Sequence, residues 1–178
     1  MGRFATGVTV VTAHHRGVDA GMTVNAFVSV TLEPPTVLIC LNRRADTTPV
    51  VEASGKFAIT ILSARERHLS ELFASRAPSH EKFQGVPLHR GTLGPPLLDG
   101  GLGSLECEVV HRVEHGSHVL FFGQVVALET GGEELPLVFW KSEYARPSQG
   151  GLLVMCPSRN LSLSSKGSKA TPKERKER

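Results

Sequence analysis

The sequence predicts a mainly β domain, which we interpret as a small antiparallel barrel with short helical insertions. The predicted strands follow one another through turns, and helices are inserted among them rather than alternating with them, which favours an antiparallel arrangement. The chain has 178 residues, of which 40% are hydrophobic, and can bury one core without disulfide bonds. We expect one domain over residues 1–156 and a disordered basic tail over residues 157–178, where Ser, Lys, Arg and Glu dominate.

Three strands are predicted in the first quarter of the chain. Residues 7–13 are rich in β-branched side chains and end at a polar, glycine-containing turn over residues 14–17. Residues 26–30 form a second alternating segment, which Glu33-Pro34-Pro35 closes. Residues 36–41 are a continuous apolar run, which is typical of a strand buried on both faces.

Two short helices are predicted in the middle of the chain. Residues 46–48 offer N-cap side chains for the first helix, and Pro49 suits its first turn because proline has a fixed φ and no N–H. Ser54-Gly55 ends this helix. Ser63 is a candidate cap for a second helix over residues 64–74.

The second half of the chain is again predicted to be rich in strands. The further predicted strands are residues 57–62, 104–113, 119–128 and 135–140. His115-Gly116-Ser117 is predicted to be a hairpin turn. Residues 79–101 are dense in Gly and Pro and are predicted to be a loop, long enough to suggest a function.

Charge and composition exclude several classes of protein. The formal net charge of +3 comes from basic residues after position 158, and the mildly acidic body argues against a nucleic-acid-binding surface. Cys40, Cys107 and Cys156 form no C-x-x-C pair and no disulfide framework. No apolar run approaches the roughly 18 residues that span a membrane, and residues 8–13 are too short for a signal peptide. We therefore expect a cytoplasmic protein without a membrane or nucleic-acid partner.

Residues 21–27, with Ser29, Val30 and Thr31, are the first candidate binding segment. They place small polar side chains and free backbone groups along a strand and its entry, with few charges. Such a surface suits a flat ring system, whose heteroatoms pair with backbone groups while its face lies on apolar side chains. The alternative is a Ser- and Thr-rich strand whose edge faces water.

Residues 42–49 are the second candidate binding segment. They leave a buried strand and open a helix, where unpaired N–H groups and the helix dipole favour an anion. Arg43 and Arg44 add positive charge, and Thr47 and Thr48 add hydroxyl donors, so a phosphate fits. The alternative is a capped helix with solvated arginines. The sequence has neither a P-loop nor a complete dinucleotide-binding fingerprint.

His111, His115 and His118 have a spacing that would suit a metal site on one helix. They lie on a predicted strand–turn–strand, where the three rings need not converge, and no H-E-x-x-H motif accompanies them, so we predict no metal site. No nucleophile with a neighbouring base is found, since Cys40 lies within an apolar strand. We therefore predict no catalytic side chain and a protein that holds a cofactor with its own chemistry.

Several segments occur together in a specific order. They are Arg3-Phe4-Ala5-Thr6-Gly7, Gly21-Met22-Thr23-Val24-Asn25-Ala26-Phe27, Ser29-Val30-Thr31, Glu33-Pro34-Pro35, Asn42 with Ala45-Asp46-Thr47, Phe57-Ala58-Ile59, Glu81-Lys82-Phe83-Gln84-Gly85-Val86 and Gly116-Ser117-His118. Together they resemble the flavin reductase-like, FMN-binding split-barrel family over about residues 3–147, and their order is far more specific than any one motif. The resemblance implies a mainly β, split β-barrel of Greek-key type with short helical insertions.

The same resemblance implies an NAD(P)H:flavin oxidoreductase that serves a two-component flavin-dependent monooxygenase. It implies a homodimer that binds FMN or FAD, uses NADH or NADPH as co-substrate, and supplies reduced flavin to a partner monooxygenase. The implied flavin-binding residues are Met22, Thr23, Val24, Asn25, Ala26, Ser29, Val30, Thr31, Asn42, Ala45, Asp46, Thr47, Thr48, Lys82 and Phe83. Gly116, Ser117 and His118 are implied to contact the nicotinamide. The alternative function is an FMN-binding electron carrier, or a flavin-binding module, of the same fold without NAD(P)H turnover.

Three features depart from the family pattern. The family usually carries an N-terminal helix before the motif that contains Phe4, whereas this chain begins almost at that motif, and we expect a loss of stability or dimer contacts. Ser117 replaces the aspartate of a Gly-Asp-His turn, and His118 stays a candidate because serine also forms hydrogen bonds. The chain beyond Pro147 has no counterpart in the pattern.

Overall fold

The computed structural model describes residues 2–148 and 153–156. Among these residues, 54% lie in strands and 15% in helices, which confirms the mainly β prediction. The predicted basic tail over residues 157–178 lies outside the described residues. In the described part of the chain, no helix is long and apolar enough to cross a membrane.

The elements follow one another in a strand-rich order. The strands are β1 (Thr6–Gly7), β2 (Thr9–His15), β3 (Val18–Val24), β4 (Phe27–Leu32), β5 (Pro35–Asn42), β6 (Lys56–Ile61), β7 (Leu88–Arg90), β8 (Pro96–Leu98), β9 (Gly103–His115), β10 (His118–Thr130), β11 (Val138–Trp140), β12 (Glu143–Pro147) and β13 (Leu153–Met155). The helices are α1 (Thr47–Ser54), α2 (Arg67–Ala74) and α3 (Ser79–Lys82), with a 3-10 turn over Ala64–Glu66.

One seven-stranded antiparallel sheet organises the domain, in the order β3-β2-β6-β9-β10-β5-β4. A smaller sheet has the order β1-β11-β12-β13, and β7 pairs with β8. β3 and β4 are the edges of the large sheet, so the hydrogen-bonded strands form an open, split barrel rather than a closed one. The backbone groups along one side of β3 are therefore free of sheet pairing, as a binding edge requires.

Two hydrophobic clusters fix the helices on the strands. In the first cluster, Phe57 and Phe121 have no exposed surface and pack with Val51 of α1. In the second cluster, Phe73 of α2 is 1% exposed and Leu137 is fully buried. Burying one large apolar side chain stabilises a fold by about 1.5–3 kcal/mol. These contacts therefore hold α1 and α2 firmly beside β3, where the candidate site lies.

The predicted strands and helices occur, but their capping differs in one place. α1 has Asp46 at its N-cap position without a side-chain cap, so the predicted capping by residues 46–48 is wrong. Instead Thr48 donates from Oγ1 to the carbonyl of Asn42 at 2.7 Å, which ties the helix to β5. Ser63 does cap the second helical segment, in a reciprocal capping box with Glu66.

The segment predicted to be a loop over residues 79–101 contains α3, β7 and β8. This segment is ordered by hydrogen bonds to residues far away in the sequence, which local sequence patterns cannot predict. The buried carboxylate of Glu106 accepts from the backbone N–H of Thr92 at 2.8 Å and of Leu93 at 2.7 Å. Thr12 donates from Oγ1 to the carbonyl of Pro96 at 2.5 Å.

β5 is buried on one face only, so the prediction of burial on both faces is wrong. Val37 and Ile39 are buried, whereas Leu38 and Cys40 on the opposite face are half-buried. That face continues onto β4, where Val28 pairs with Leu38 and is 52% exposed. The apolar run of β5 thus belongs partly to an outer surface of this chain.

Candidate functional site

A cavity of about 430 Å³ lies where β3, the start of α1 and the α2–α3 connection meet. It is lined by Gly21, Met22, Thr23, Arg44, Ala45, Asp46, Thr47, Phe73, Ala74, Ser75, Arg76, Ala77, Ser79 and Lys82. The cavity brings together parts of both candidate segments predicted from the sequence, together with Lys82. We refer to it below as the flavin cavity, after the ligand that the family resemblance implies.

Gly21 on β3 makes room for the aromatic floor beside the cavity. A Cβ at this position would lie 2.8 Å from Cε1 of Phe73 and 3.0 Å from Cζ of Phe83. The two phenyl rings meet edge to face, with centroids 5.1 Å apart. Phe83 is therefore a packing residue of the second cluster and does not line the cavity, although it supports Phe73, which does.

Hydrogen bonds within the chain already use several of the predicted hydroxyl groups. Thr23 donates from Oγ1 to the carbonyl of Ser70 at 2.6 Å, which fixes β3 to α2. Thr48 is 2% exposed, donates to Asn42 and does not line the cavity. Thr47 is also buried, but it lines the cavity. Thr48 thus fixes the start of α1 against the end of β5 and does not contact a ligand in the cavity directly.

The start of α1 favours an anion at the cavity. Its N-cap residue Asp46 provides no side-chain cap. Because Pro49 has no N–H and the N–H of Thr48 donates to the carbonyl of Ala45 at 3.1 Å, the N–H groups of Asp46 and Thr47 are the donors that the described structure leaves at this turn. Asn42 shapes the entry, because its Oδ1 accepts from the backbone N–H of Arg44 at 2.9 Å and its carbonyl accepts from that of Ala45 at 3.0 Å. Asn42 itself lines the neighbouring groove rather than this cavity.

Cationic side chains outnumber carboxylates around the cavity. Arg44, Arg76 and Lys82 line it, and Asp46 is the only carboxylate among the lining residues. Lys82 is 6% exposed and donates from Nζ to the carbonyl of Phe73 at 3.1 Å. Burial lowers the pKa of Lys82, and the charge of Asp46 acts in the opposite direction. A buried ammonium group beside two guanidinium groups suits a phosphate.

Ser79 adds an unsatisfied polar atom to the same wall. Its Oγ is buried and has no hydrogen-bond partner among the described residues. A buried hydroxyl without a partner is costly unless a ligand supplies one. Sequence reasoning missed both Ser79 and Arg76, because Arg76 lies in the connection between α2 and α3, Ser79 begins the one-turn helix α3, and the composition of this segment resembles that of any solvated loop.

Not all predicted flavin residues meet at this cavity. Val24 is buried in the first cluster, and the carbonyl of Ala26 accepts from the N–H of Cys40 at 3.1 Å. Asn25 lines a smaller cavity of about 180 Å³ next to the first. Ser29, Val30 and Thr31 are exposed on β4, at the opposite edge of the large sheet from β3. In a single chain, these β4 residues therefore do not line the flavin cavity.

The predicted nicotinamide turn lies beside the start of α1. His118 pairs with Asn42 across β10 and β5, and the backbone N–H of Arg43 donates to the carbonyl of Ser117 at 2.9 Å. Gly116 has a φ of 56°, which glycine adopts without strain. The Oγ of Ser117 lies 2.9 Å from Nδ1 of His118, so the serine orients the imidazole in place of the family aspartate.

The cysteines do not take part in this arrangement. Burial raises the pKa of Cys107 to about 12, with a smaller contribution from Glu106. Burial also raises the pKa of Cys40. Both thiols are consequently protonated near neutral pH, and neither lines the flavin cavity.

The fold and the cavity define a domain with an open β-sheet, whose edge strand β3 borders a cavity lined mostly by cationic rather than acidic charged residues. The family described as "Flavin reductase like domain" matches residues 1–148. The chain belongs to this family, as the order of its sequence motifs predicted.

Named relatives support the same assignment. The chain is 36% identical over 144 residues to "FMN reductase (NADH) RutF" of Stutzerimonas stutzeri, covering 81% of this chain and 83% of the relative. It is 33% identical over 146 residues to "Flavin-dependent monooxygenase, reductase subunit HsaB" of Mycobacterium tuberculosis, covering 81% and 77%. These similarities confirm the predicted class of enzyme, a flavin reductase.

A solved structure gives the corresponding comparison in three dimensions. The NADH:FAD oxidoreductase SgcE6 of Streptomyces globisporus, in complex with NAD and FAD fragments, superposes with a TM-score of 0.78. The two sequences are 33% identical, and the match covers 83% of this chain and 88% of that one. The predicted split-barrel fold and the predicted use of a flavin with a nicotinamide co-substrate are thereby confirmed.

Proposed function

We propose that this chain reduces free FMN or FAD with NADH or NADPH and supplies the reduced flavin to a partner monooxygenase. The observation that carries the proposal is the meeting of an open helix start, a free strand edge and three cationic side chains at one cavity. When bound, the flavin supplies the redox chemistry, because its ring accepts a hydride from the reduced nicotinamide. The chain needs only to orient the two ligands, which alone contributes several kcal/mol to a rate.

The phosphate end of the flavin is assigned to the start of α1 and the wall opposite. Ala45, Asp46 and Thr47 line the cavity there, and Asp46 and Thr47 offer their N–H groups together with the Thr47 hydroxyl. Lys82 and Arg76 face the same space and supply the charge that a phosphate dianion requires. Asn42 and Thr48 hold this helix start in place.

The ring end of the flavin is assigned to β3 and the residues after it. Met22 and Thr23 line the cavity, and Asn25 continues the surface into the adjoining smaller cavity. The free edge of β3 offers backbone donors and acceptors to the ring heteroatoms. Val24 and Ala26 would contribute through backbone atoms only, because Val24 is buried in the core and Ala26 has only a methyl side chain.

A homodimer would account for the position of Ser29, Val30 and Thr31, which are exposed on the edge strand β4. Two rows of partly exposed, largely apolar side chains cross the sheet here. One row is Val28, Leu38, Phe122 and His111, and the other is Cys40, Leu120 and Val113. Val28 on β4 and Val113 on β9 are 52% and 41% exposed, and a continuous exposed apolar patch of this kind often marks an interface. Burial of this face against a second copy would bring Ser29–Thr31 into an interface.

The proposed homodimer can be tested by placing a charged side chain on the exposed apolar face that includes Val28. Val28→Glu leaves the core untouched and opposes burial of the face, so we expect the mass in solution to fall from two chains to one. Light scattering after gel filtration measures this mass. The control is Val18→Glu, an equally exposed position on the β2–β3 hairpin, where the mass should not change. A wild-type mass of one chain would overturn the homodimer.

The enzymatic proposal is tested by mixing the protein with NADH or NADPH and free FMN or FAD. Flavin-dependent loss of absorbance at 340 nm is the expected result. Absence of oxidation with every pair, in protein shown to be folded, would overturn the proposal. FMN retained through purification, without any oxidation of nicotinamide, would indicate instead the flavin-binding module considered above.

A further inference from the structure

A second cavity lies beside the flavin cavity, and its charged lining residues are all basic. It has a volume of about 600 Å³ and is lined by Asn42, Arg43, Arg44, Gly116 and Ser117. We call it the Arg44 groove, since Arg44 also lines the flavin cavity and is the residue common to both. Its lining contains two guanidinium groups and no carboxylate.

The two arginines differ in how their charge is balanced. Nη1 of Arg43 lies 3.4 Å from Oε2 of Glu114. Glu114 also pairs with Arg112, which in turn contacts Glu52 of α1 at 2.9 Å. The two arginines and two glutamates of this ion-pair network therefore neutralise each other. Arg44 forms no ion pair within residues 2–148 and 153–156, so its charge is available to a ligand.

The backbone around Arg44 holds it at the junction of the two cavities. Its N–H donates to Oδ1 of Asn42 at 2.9 Å, while the preceding Arg43 is tied to Ser117 across the groove. The amide nitrogen of Asn42 has no hydrogen-bond partner in the described part of the chain and is a further donor. The groove therefore offers charge and hydrogen-bond donors from a fixed turn, which are the groups that bind phosphoryl oxygens.

The groove lies between the phosphate end of the flavin cavity and the predicted nicotinamide turn. If the first phosphate of FAD lies in the flavin cavity, the rest of the FAD molecule would enter the Arg44 groove past Arg44. A pyridine nucleotide whose nicotinamide contacted His118 would enter it past Ser117. In FAD and in NADH, a pyrophosphate follows the flavin or nicotinamide half of the molecule and would reach the groove. FMN and reduced nicotinamide mononucleotide end in a single phosphate and have no pyrophosphate.

We propose that the Arg44 groove binds the pyrophosphate of a dinucleotide, with Arg44 as its principal ligand and a residue that determines dinucleotide preference. This inference rests on the proposed flavin reductase function and deepens it. The proposed ligand of the groove is the pyrophosphate, which FAD and NADH share. The second experiment determines which of the two dinucleotides supplies this pyrophosphate.

The first experiment measures binding without turnover. Titration calorimetry of the full chain with ADP, in low salt, should show binding that adenosine does not reproduce. Arg44→Gln should weaken ADP binding about tenfold, which corresponds to the loss of about 1.4 kcal/mol from one charge-assisted contact. The matched control is Arg65→Gln, which removes an equally exposed cation from a different cavity and should leave the affinity unchanged. Equal effects of both substitutions, or no binding of ADP, would overturn the assignment.

The second experiment identifies the dinucleotide. If FAD supplies the pyrophosphate, Arg44→Gln raises the KM for FAD at least about fivefold more than the KM for FMN. If NADH supplies it, the KM for NADH rises by a similar factor relative to that for reduced nicotinamide mononucleotide. Equal increases for FMN and FAD, with no change for NADH, would place Arg44 in the flavin cavity alone and overturn the proposal.

The two levels of proposal fail separately. A wild-type protein that binds ADP through Arg44 but oxidises no NADH would contradict the reductase function and leave the groove assignment standing. If the wild type reduces flavin, and Arg44→Gln has the same KM values for flavin and NADH as the wild type, the groove assignment alone is contradicted.

Discussion

The flavin cavity and the Arg44 groove are neighbours that obtain their shape in different ways. The flavin cavity is set by packing and internal hydrogen bonds, such as those of Thr23 to Ser70 and of Lys82 to Phe73. The Arg44 groove is formed by exposed side chains on two turns, held by one backbone hydrogen bond between Arg43 and Ser117. Arg44 itself belongs to both.

This difference determines how substitutions should act. In the flavin cavity, a change of one side chain alters packing and therefore both stability and affinity. In the groove, the contacts are charged and solvated, so a change should alter affinity with little effect on stability. Added salt should weaken nucleotide binding in the groove more than FMN binding in the flavin cavity, because a Debye length of about 10 Å at 0.1 M screens exposed charges more strongly than buried ones.

The largest effect is expected at the floor of the flavin cavity. Gly21→Ala would place a Cβ 2.8 Å from Cε1 of Phe73 and 3.0 Å from Cζ of Phe83, so the rings must move. We expect the free energy of unfolding to fall by about 1–3 kcal/mol, and FMN affinity to fall with it. Urea denaturation and FMN titration measure the two quantities.

The control for that prediction is Gly7→Ala. A Cβ at Gly7 would meet nothing within 4 Å, and its φ does not require glycine. Its unfolding free energy should therefore remain close to that of the wild type. If the two alanine variants are equally stable, the cavity floor is less tightly packed than its geometry indicates.

A smaller effect, mainly on affinity, is expected at Lys82. Lys82→Met removes a buried ammonium group and retains most of the side-chain volume. FMN affinity should fall about tenfold, because one charged contact to the phosphate is lost, while riboflavin affinity stays the same. Equal losses for FMN and riboflavin would show that Lys82 supports the ring rather than the phosphate.

The lowered pKa of Lys82 adds a dependence on pH, with opposite signs for folding and binding. Its folded-state pKa lies below the ordinary 10.5. Between those two values the unfolded chain holds a proton that the folded chain has released, so the unfolding free energy rises with pH. FMN binding falls over the same range, since the neutral amine carries no charge for the phosphate. Both slopes should be reduced in Lys82→Met, and an unchanged FMN slope would assign the titration to another group.

The parts of the fold that follow from local patterns were predictable from the sequence. The β-branched run that becomes β2 and the Ser63–Glu66 capping box are examples, because the strand preference of β-branched side chains and a capping serine are readable over a few residues. α3, β7 and β8 were not predictable, since contacts far along the chain, such as those of Glu106, order the segment.

The candidate site divides in the same way. The start of α1 was predictable because its anion-binding character is a property of consecutive residues, here Ala45–Thr47. Arg76 and Ser79 were missed, since only the tertiary fold turns the α2–α3 connection toward α1. Burial of Lys82 was equally invisible, because a lysine next to a glutamate is normally a solvated residue.

The smallest and most selective effect is expected at the nicotinamide turn. His118→Ala should raise the KM for NADH about fivefold, since it removes one partly exposed polar contact, and should leave FMN affinity nearly unchanged. Ser117→Ala should act in the same direction but more weakly, because it removes only the group that lies 2.9 Å from Nδ1 of His118 and orients the ring.

Ser117→Asp decides whether that orientation is the reason for the effect. An aspartate can accept a hydrogen bond from the imidazole more strongly than serine does, so the KM for NADH should fall below the wild-type value. In the double variant Ser117→Asp/His118→Ala this gain should disappear, because the carboxylate then has no imidazole to orient. If the gain persists without His118, residue 117 contacts the nucleotide directly, and the turn works by contact rather than by positioning the histidine.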